Sequence, residues 1–223
     1  MQVNSAMKYC PVCASNQYFL PYGIVPRPNV MCPSCKAKNR HRLIYLFFQR
    51  NTELFKDTNK KFLHIAPEKC FMHGFEAQFG ANYYSADLKM PRAAIKMDIT
   101  DIPFDTNYFD YIYCSHVLEH VEHDLTAMRE FYRCLKPGGW LAVMVPLSDQ
   151  EKTYEDPSIT TKLEREKHFG QYDHVRMYGT DIVDRLQLAG FLVKPITAHD
   201  FMSPEEIERM EVKKSHRIFF CHK

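Results

Sequence analysis

The chain has 223 residues, 45% of them hydrophobic and 25% charged, with 29 Lys and Arg against 27 Asp and Glu. That length suits one domain of ordinary size plus a small appendage, and that composition can bury a real core, which excludes a disordered chain. No apolar run approaches the roughly 20 residues of a transmembrane helix, the start MQVNSAMKYC lacks a signal peptide's apolar stretch, and a formal charge of +2 argues against a generic nucleic-acid or membrane binder. A cytoplasmic protein is the expectation.

The near-neutral total conceals two parts. Residues 1–52 contain seven basic side chains and no acid, whereas the remaining 171 residues carry 22 basic against 27 acidic side chains. The basic part also holds Cys10-Pro-Val-Cys13 and Cys32-Pro-Ser-Cys35, with 18 residues between the pairs. Each pair places two thiolates on one tight knuckle, and two knuckles complete a tetrahedron, so Cys10, Cys13, Cys32 and Cys35 are candidate ligands of a structural zinc. Iron in a rubredoxin-like site has the same geometry. The segment resembles a zinc ribbon, with a short strand expected over Gln17–Leu20. Cys70, Cys114, Cys134 and Cys221 stand at no ligand spacing and read as small core residues. The basic run Lys36-Ala-Lys-Asn-Arg-His-Arg42 precedes a helix with Leu43, Ile44, Leu46 and Phe47 on one face; the run is a candidate grip for an anion or a solvated face.

From Lys61 short apolar runs alternate with helical patterns, which predicts a parallel α/β sheet. Strands are expected at Phe62–Ala66, at Asn82–Asp87 and at Phe109–Ser115. A helix capped by Asp124, with Leu125, Met128, Tyr132 and Leu135 on its apolar stripe, should stop at Lys136-Pro-Gly-Gly139 before the strand Trp140–Val145. Thr180 is placed to cap a helix through Leu188, followed by strands Phe191–Thr197 and His216–Cys221.

This order, with Met97-Asp98-Ile99, Ile102-Pro-Phe104, Phe109-Asp110, His116-Val-Leu-Glu-His-Val121 and Leu135-Lys-Pro-Gly-Gly139 in register, resembles a class I S-adenosylmethionine-dependent methyltransferase, most closely the group labelled type 11. The likeness covers residues 61–146 and, by order of elements, 180–221. It implies a seven-stranded, mostly parallel Rossmann-like sheet whose last strand is antiparallel and inserted between its neighbours, in a domain running 53–223 beside a module over 1–52. It also implies S-adenosyl-L-methionine at the carboxyl ends of the strands. By position, Asp87, followed by Leu88, would accept from both ribose hydroxyls, Asp98 and Ile99 would meet adenine, and Ser115 and His116 would lie beside the methionine part. The family's glycine-rich first motif is replaced here by His64-Ile-Ala-Pro-Glu-Lys-Cys70, so the backbone of Ala66 and Pro67 would pass the amino-acid end and Glu68 would meet its ammonium.

Residues 146–179 form a long connection where the family builds its acceptor lid. Within it His168, Asp173, His174 and Arg176 are candidate bases and anion-binding groups, with His116 and His120 behind them. The expected activity is methyl transfer to a small-molecule or glycan-like acceptor, an anionic one being held by the basic module. Two alternatives stand beside it: an RNA base methyltransferase that uses the basic module on RNA, similar to ribosomal RNA guanine methyltransferases, and a non-catalytic interaction protein on a decayed fold.

Overall fold

The computed structural model describes residues 6–23 and 25–223. In chain order the elements are β1 (Lys8–Cys10), β2 (Ser15–Gln17), β3 (Leu20–Tyr22), β4 (Arg27–Met31), α1 (Asn39–Asn51), β5 (Phe62–Ile65), α2 (Lys69–Phe79), β6 (Tyr83–Asp87), β7 (Ile95–Lys96), β8 (Phe109–Ser115), α3 (Asp124–Cys134), β9 (Leu135–Met144), β10 (Tyr154–Glu155), α4 (Lys162–Phe169), β11 (Arg176–Met177), α5 (Ile182–Leu188), β12 (Leu192–Ile196), α6 (Pro204–Arg209) and β13 (Ile218–His222). They fall into two compact units. The first takes residues up to Thr58 together with Glu68–Gln78 and Ile196–His216; the second takes Asn59–Pro67, Phe79–Pro195 and Arg217–Lys223. The first is thus larger than the 1–52 module read from the sequence, because two later stretches of chain fold with it.

In the first unit β1 pairs antiparallel with β2 around the Cys10–Cys13 knuckle, and β3 pairs antiparallel with β4, which leads into the second knuckle. The residues that follow the knuckles, Ala14 and Lys36, take left-handed backbone at φ +50° and +64°. No single strand runs from Gln17 to Leu20: β2 ends at Gln17 so that Phe19 can turn inward onto Cys10, Cys32 and Ala37.

α1 buries Leu43, Ile44, Leu46, Phe47 and Phe48 as its apolar spacing predicts, and it also buries Arg42 completely. The Arg42 guanidinium donates to the carbonyls of Val30 (3.0 Å), Ala37 (3.1 Å), Met210 (2.5 Å) and Glu211 (3.1 Å), and lies 4.2 Å over the Phe19 ring. Burial pulls its pKa down to about 10, which leaves it charged at neutral pH. One side chain therefore satisfies backbone from three separate stretches of this unit. The rest of the basic run is also engaged. Lys36 donates to Pro33 O (2.7 Å), Lys38 to Tyr22 Oη (2.7 Å), and the His41 ring accepts from Lys38 N (3.2 Å). Of the run expected as an anion grip or a solvated face, Arg42 is therefore committed to the fold.

The second unit is built on a seven-stranded sheet in the order β12-β13-β9-β8-β5-β6-β7. β7, β6, β5, β8 and β9 run parallel, and β13 enters antiparallel beside β9. Every residue of β5 and β8 is buried, as central parallel strands require. Three local expectations shift. Asp124 is not a cap but the first helical residue, and it turns inward to accept from Tyr178 Oη (2.7 Å) and Arg185 (2.8 Å). The buried face of α3 is Ala127, Met128, Phe131 and Cys134; of the expected stripe Met128 and Leu135 are buried, and Leu125 and Tyr132 pack partly buried against the same core. Lys136-Pro-Gly-Gly139 does not precede β9 but lies within it as an irregularity in the β8 pairing; Gly138 has φ +77°, and a Cβ on Gly139 would stand 2.6 Å from Asp110 O. α5 is preceded by Asp181, not Thr180, and the Asp181 carboxylate instead accepts from Thr153 N (2.8 Å) and Oγ1 (2.6 Å).

Replacing Arg42 with alanine removes the donor from four carbonyls in a buried setting and should lower stability by about 3–5 kcal/mol, read as a reduced urea midpoint.

Candidate active site and metal centre

The carboxyl ends of β5, β6 and β8 open on a cleft of about 460 Å³ in the second unit. Six of the residues expected at the methyl donor, Ala66, Asp87, Leu88, Asp98, Ile99 and His116, line it together with Lys89, Val117, His120, Val121, Arg165 and Asp173. Ala66 and His116, each the first residue beyond a parallel strand, have left-handed backbone at φ +49° and +56°. Side chains with a Cβ adopt this conformation at a cost of roughly 1–2 kcal/mol, and such strain gathers at functional sites. The glycine-free loop thus takes the backbone turn that glycine would take without strain. At Asp87 one oxygen, Oδ1, accepts from Lys89 N and Met90 N (both 2.7 Å), while Oδ2 has no hydrogen-bond partner among the described residues. Asp98 Oδ1 holds Thr100 N and Oγ1 (both 2.8 Å).

Other expected residues stand elsewhere. Glu68 belongs to the first unit, where its carboxylate is 3.8 Å from His41 Nε2. Pro67 is buried and its carbonyl accepts from Arg92 (3.3 Å). The Ser115 hydroxyl is buried with no hydrogen-bond partner among the described residues and is absent from the cleft wall. His64, in the position of the family's acid, is wholly buried with Nδ1 2.8 Å from Tyr83 Oη, a satisfied core histidine.

The long connection 146–179 is a folded insertion rather than a loose lid. β10 and β11 pair antiparallel, α4 is closed by a Thr161–Glu164 capping box, and Gly170 ends it at φ +80°. It gives the cleft Arg165 and Asp173. His168 faces away, 2.9 Å from Tyr154 Oη on the exposed side. His174 is buried behind His120, with ring centroids 4.7 Å apart, and burial lowers its pKa, so it is held neutral. Its Nδ1 faces Phe169 O at 3.1 Å. Arg176 is also buried and does not face the cleft: it donates to Leu118 O (3.0 Å), Val121 O and Glu122 O (2.9 Å), and to Glu155 (2.8 Å). Its expected role as an anion ligand gives way to holding the 116–122 loop.

That loop also carries titratable side chains in contact with carboxylates. His116 Nδ1 stands 3.3 Å from Glu119 Oε1, and His120 Nδ1 3.4 Å from Asp173 Oδ2. Glu119 was not singled out in the sequence although the His116-x-x-Glu119-His120 spacing places three titratable groups within one turn. Arg165 carried no such signal, being one basic residue among several on a polar helix.

In the first unit the four cysteine sulfurs lie within 4.8 Å of one another, with Cys10–Cys35 at 3.6 Å and Cys13–Cys32 at 3.7 Å. A tetrahedron with bonds of about 2.3 Å to zinc has sulfurs about 3.8 Å apart. These distances match such a centre and are far longer than the roughly 2.05 Å of a disulfide.

Comparison with known proteins agrees with the sheet. Residues 57–143 match the methyltransferase domain family. Demethylmenaquinone methyltransferase of Staphylococcus epidermidis is 40% identical over 47 residues, 21% of this chain and 20% of that protein, so the match spans a fifth of the relative's length. A SAM-dependent methyltransferase from Archaeoglobus fulgidus superposes with a TM-score of 0.54 at 14% identity, covering 84% of this chain and 95% of that one. A Haemonchus contortus phosphoethanolamine N-methyltransferase, solved with phosphomonomethylethanolamine and S-adenosylhomocysteine, gives 0.53 at 12% identity over 82% of this chain and 52% of that one. The second unit therefore has the class I methyltransferase fold.

Replacing Arg176 with lysine keeps the charge but loses the planar fork that reaches the carbonyls of Leu118, Val121 and Glu122 together. We expect a loss of about 2–4 kcal/mol in urea unfolding.

Proposed function

We propose that this protein is an S-adenosylmethionine-dependent methyltransferase acting on a small-molecule or glycan-like acceptor, with a structural zinc held by Cys10, Cys13, Cys32 and Cys35. The observation that carries the reading is Asp87 at the carboxyl end of β6, lining the cleft with one carboxylate oxygen uncommitted. A ribose diol is the ligand such a carboxylate suits, since each hydroxyl can donate a charge-assisted hydrogen bond. The left-handed turns at Ala66 and His116 support it further, because they bend the chain sharply where β5 and β8 end at the cleft. Asp98 and Ile99 would meet adenine, and Ala66 with His116 would flank the methionine end.

S-adenosylmethionine supplies a methyl group already activated on a sulfonium, so the protein's work is to align an acceptor, exclude water and manage one proton. His116, lining the cleft and paired with Glu119, is placed to accept that proton from a hydroxyl or an amine. His168, exposed on the far side of the insertion, and Arg176, saturated by carbonyls, are not assigned to chemistry. An RNA acceptor gains nothing from Arg42 of the basic run, which is buried against internal carbonyls.

Titration calorimetry with S-adenosylmethionine tests the reading: micromolar binding is expected, and none at millimolar concentration rejects it. Asp87→Ala should weaken binding at least tenfold, and an unchanged affinity rejects the assignment of Asp87. For the metal, titrating the thiols with a mercurial should release one zinc per chain, and Cys32→Ser should abolish that release.

A further inference from the structure

Apart from the four cysteines, one other cluster among the described residues brings three metal-ligating groups together: Glu119, His120 and His174, whose ligand atoms lie within 4.8 Å of one another. Nothing in the proposed methyl transfer requires it. Its three members come from two places in the chain, the 116–122 loop and the insertion, and each is held before any ligand arrives. Glu119 is almost wholly buried. His120 Nδ1 is 3.2 Å from Asp173 O and His174 Nδ1 is 3.1 Å from Phe169 O. A carbonyl only accepts, so in each ring Nδ1 carries the proton and Nε2 keeps its lone pair. A histidine whose far nitrogen is fixed by a carbonyl or carboxylate is the usual outer-shell arrangement of a metal ligand, and the Asp173 carboxylate adds a second such contact to His120.

We propose that Glu119, His120 and His174 bind a divalent transition cation at the edge of the cleft. Two imidazoles and one carboxylate suit zinc, manganese, iron or cobalt, and three protein ligands leave at least one coordination position open. Bonds of about 2.0–2.2 Å require ligand atoms roughly 3–3.6 Å apart, a contraction that side-chain rotation can supply. His120 lines the cleft, so the open position faces the space where an acceptor would lie. This centre differs in kind from the four-sulfur one, which has no open position.

The consequence for chemistry, which rests on the methyltransferase reading, is an oxygen acceptor. A hydroxyl bound to the cation becomes more acidic. It gives its proton to His116; the oxygen forms a bond to the methyl carbon, and the carbon–sulfur bond breaks with its electron pair passing to sulfur, which becomes a neutral thioether.

The test uses the full chain and the metal alone. After equilibrium dialysis against micromolar Zn²⁺, the wild type should hold two zinc ions per chain. Glu119→Gln, His120→Asn and His174→Asn should each hold one, with the second site weakened at least tenfold and the circular dichroism unchanged. With Co²⁺ the thiolate site gives sulfur-to-metal charge-transfer bands, and the second equivalent should add only weak visible bands. One zinc per chain in the wild type with cobalt bands of the thiolate type alone overturns the proposal, as does a second zinc that persists in all three variants. Because the wild-type count and cobalt spectrum stand by themselves, a variant that fails to fold does not blunt the test. S-adenosylmethionine binding without a second metal sinks this inference alone; a second metal without S-adenosylmethionine binding sinks the methyltransferase reading and leaves the site standing.

Discussion

Arg176 is the constraint on which the candidate site depends. Its guanidinium is buried beneath the segment 118–122 and donates to the carbonyls of Leu118, Val121 and Glu122 within that short segment. A buried carbonyl without a donor is expensive, so a single cation with five donors in a fixed plane can anchor a segment whose own regular structure is one short 3-10 turn, Leu118–His120. The charge is balanced by Glu155, which also takes Arg185, and Arg185 in turn reaches Asp124 at the start of α3. This chain of ion pairs ties the insertion to the loop that carries His116, Glu119 and His120. The insertion is thus tied to the loop, and it also lends the cleft Arg165 and Asp173.

The replacement of glycine at the end of β5 follows a related logic. A methyltransferase-like cleft needs the chain to turn sharply where the strand ends, and glycine achieves this because it enters left-handed backbone freely. Here alanine and, at the end of β8, histidine adopt that backbone. Parallel pairing on both sides of β5, and the bond from Ala66 N to Ala86 O at 2.8 Å, over-determine the turn enough to offset the strain. For His116 the same turn aims an imidazole at the cleft, which glycine could not do.

Much of this was legible in the sequence, for identifiable reasons. Strands buried on both faces read as short apolar runs, so β8 coincides with the expected Phe109–Ser115, and the four cysteines announced themselves by spacing alone. Errors arose where a polar side chain had two physically reasonable uses. Asp124 looks like a cap because caps are short acids before apolar stripes, yet here it satisfies a tyrosine and an arginine more than 50 residues away, which no local pattern encodes. Arg176 and Arg42 look like anion ligands because sequence shows charge but not burial. Glu68 was set at the cleft by register with a glycine motif that this chain lacks, and the chain beyond Pro67 instead joins the first unit.

The two cysteine- and histidine-based clusters show how burial separates structural from reactive ligand sets. The four cysteine sulfurs face one another and share a small core with Phe19 and Ala37, so an ion held there would have four protein ligands, no open position and a structural role. Glu119, His120 and His174 are graded differently: one carboxylate and one imidazole are buried, while the second imidazole is partly exposed on the cleft wall. A set buried on all sides would be a core polar network and a fully exposed one a solvated patch. An asymmetric set, anchored from behind by backbone carbonyls and open on one side, is the arrangement that allows a protein group and a substrate group to share one partner. The same asymmetry explains why the loop bearing it needs Arg176: an open face cannot be stabilised by packing, so its position has to be fixed from the buried side.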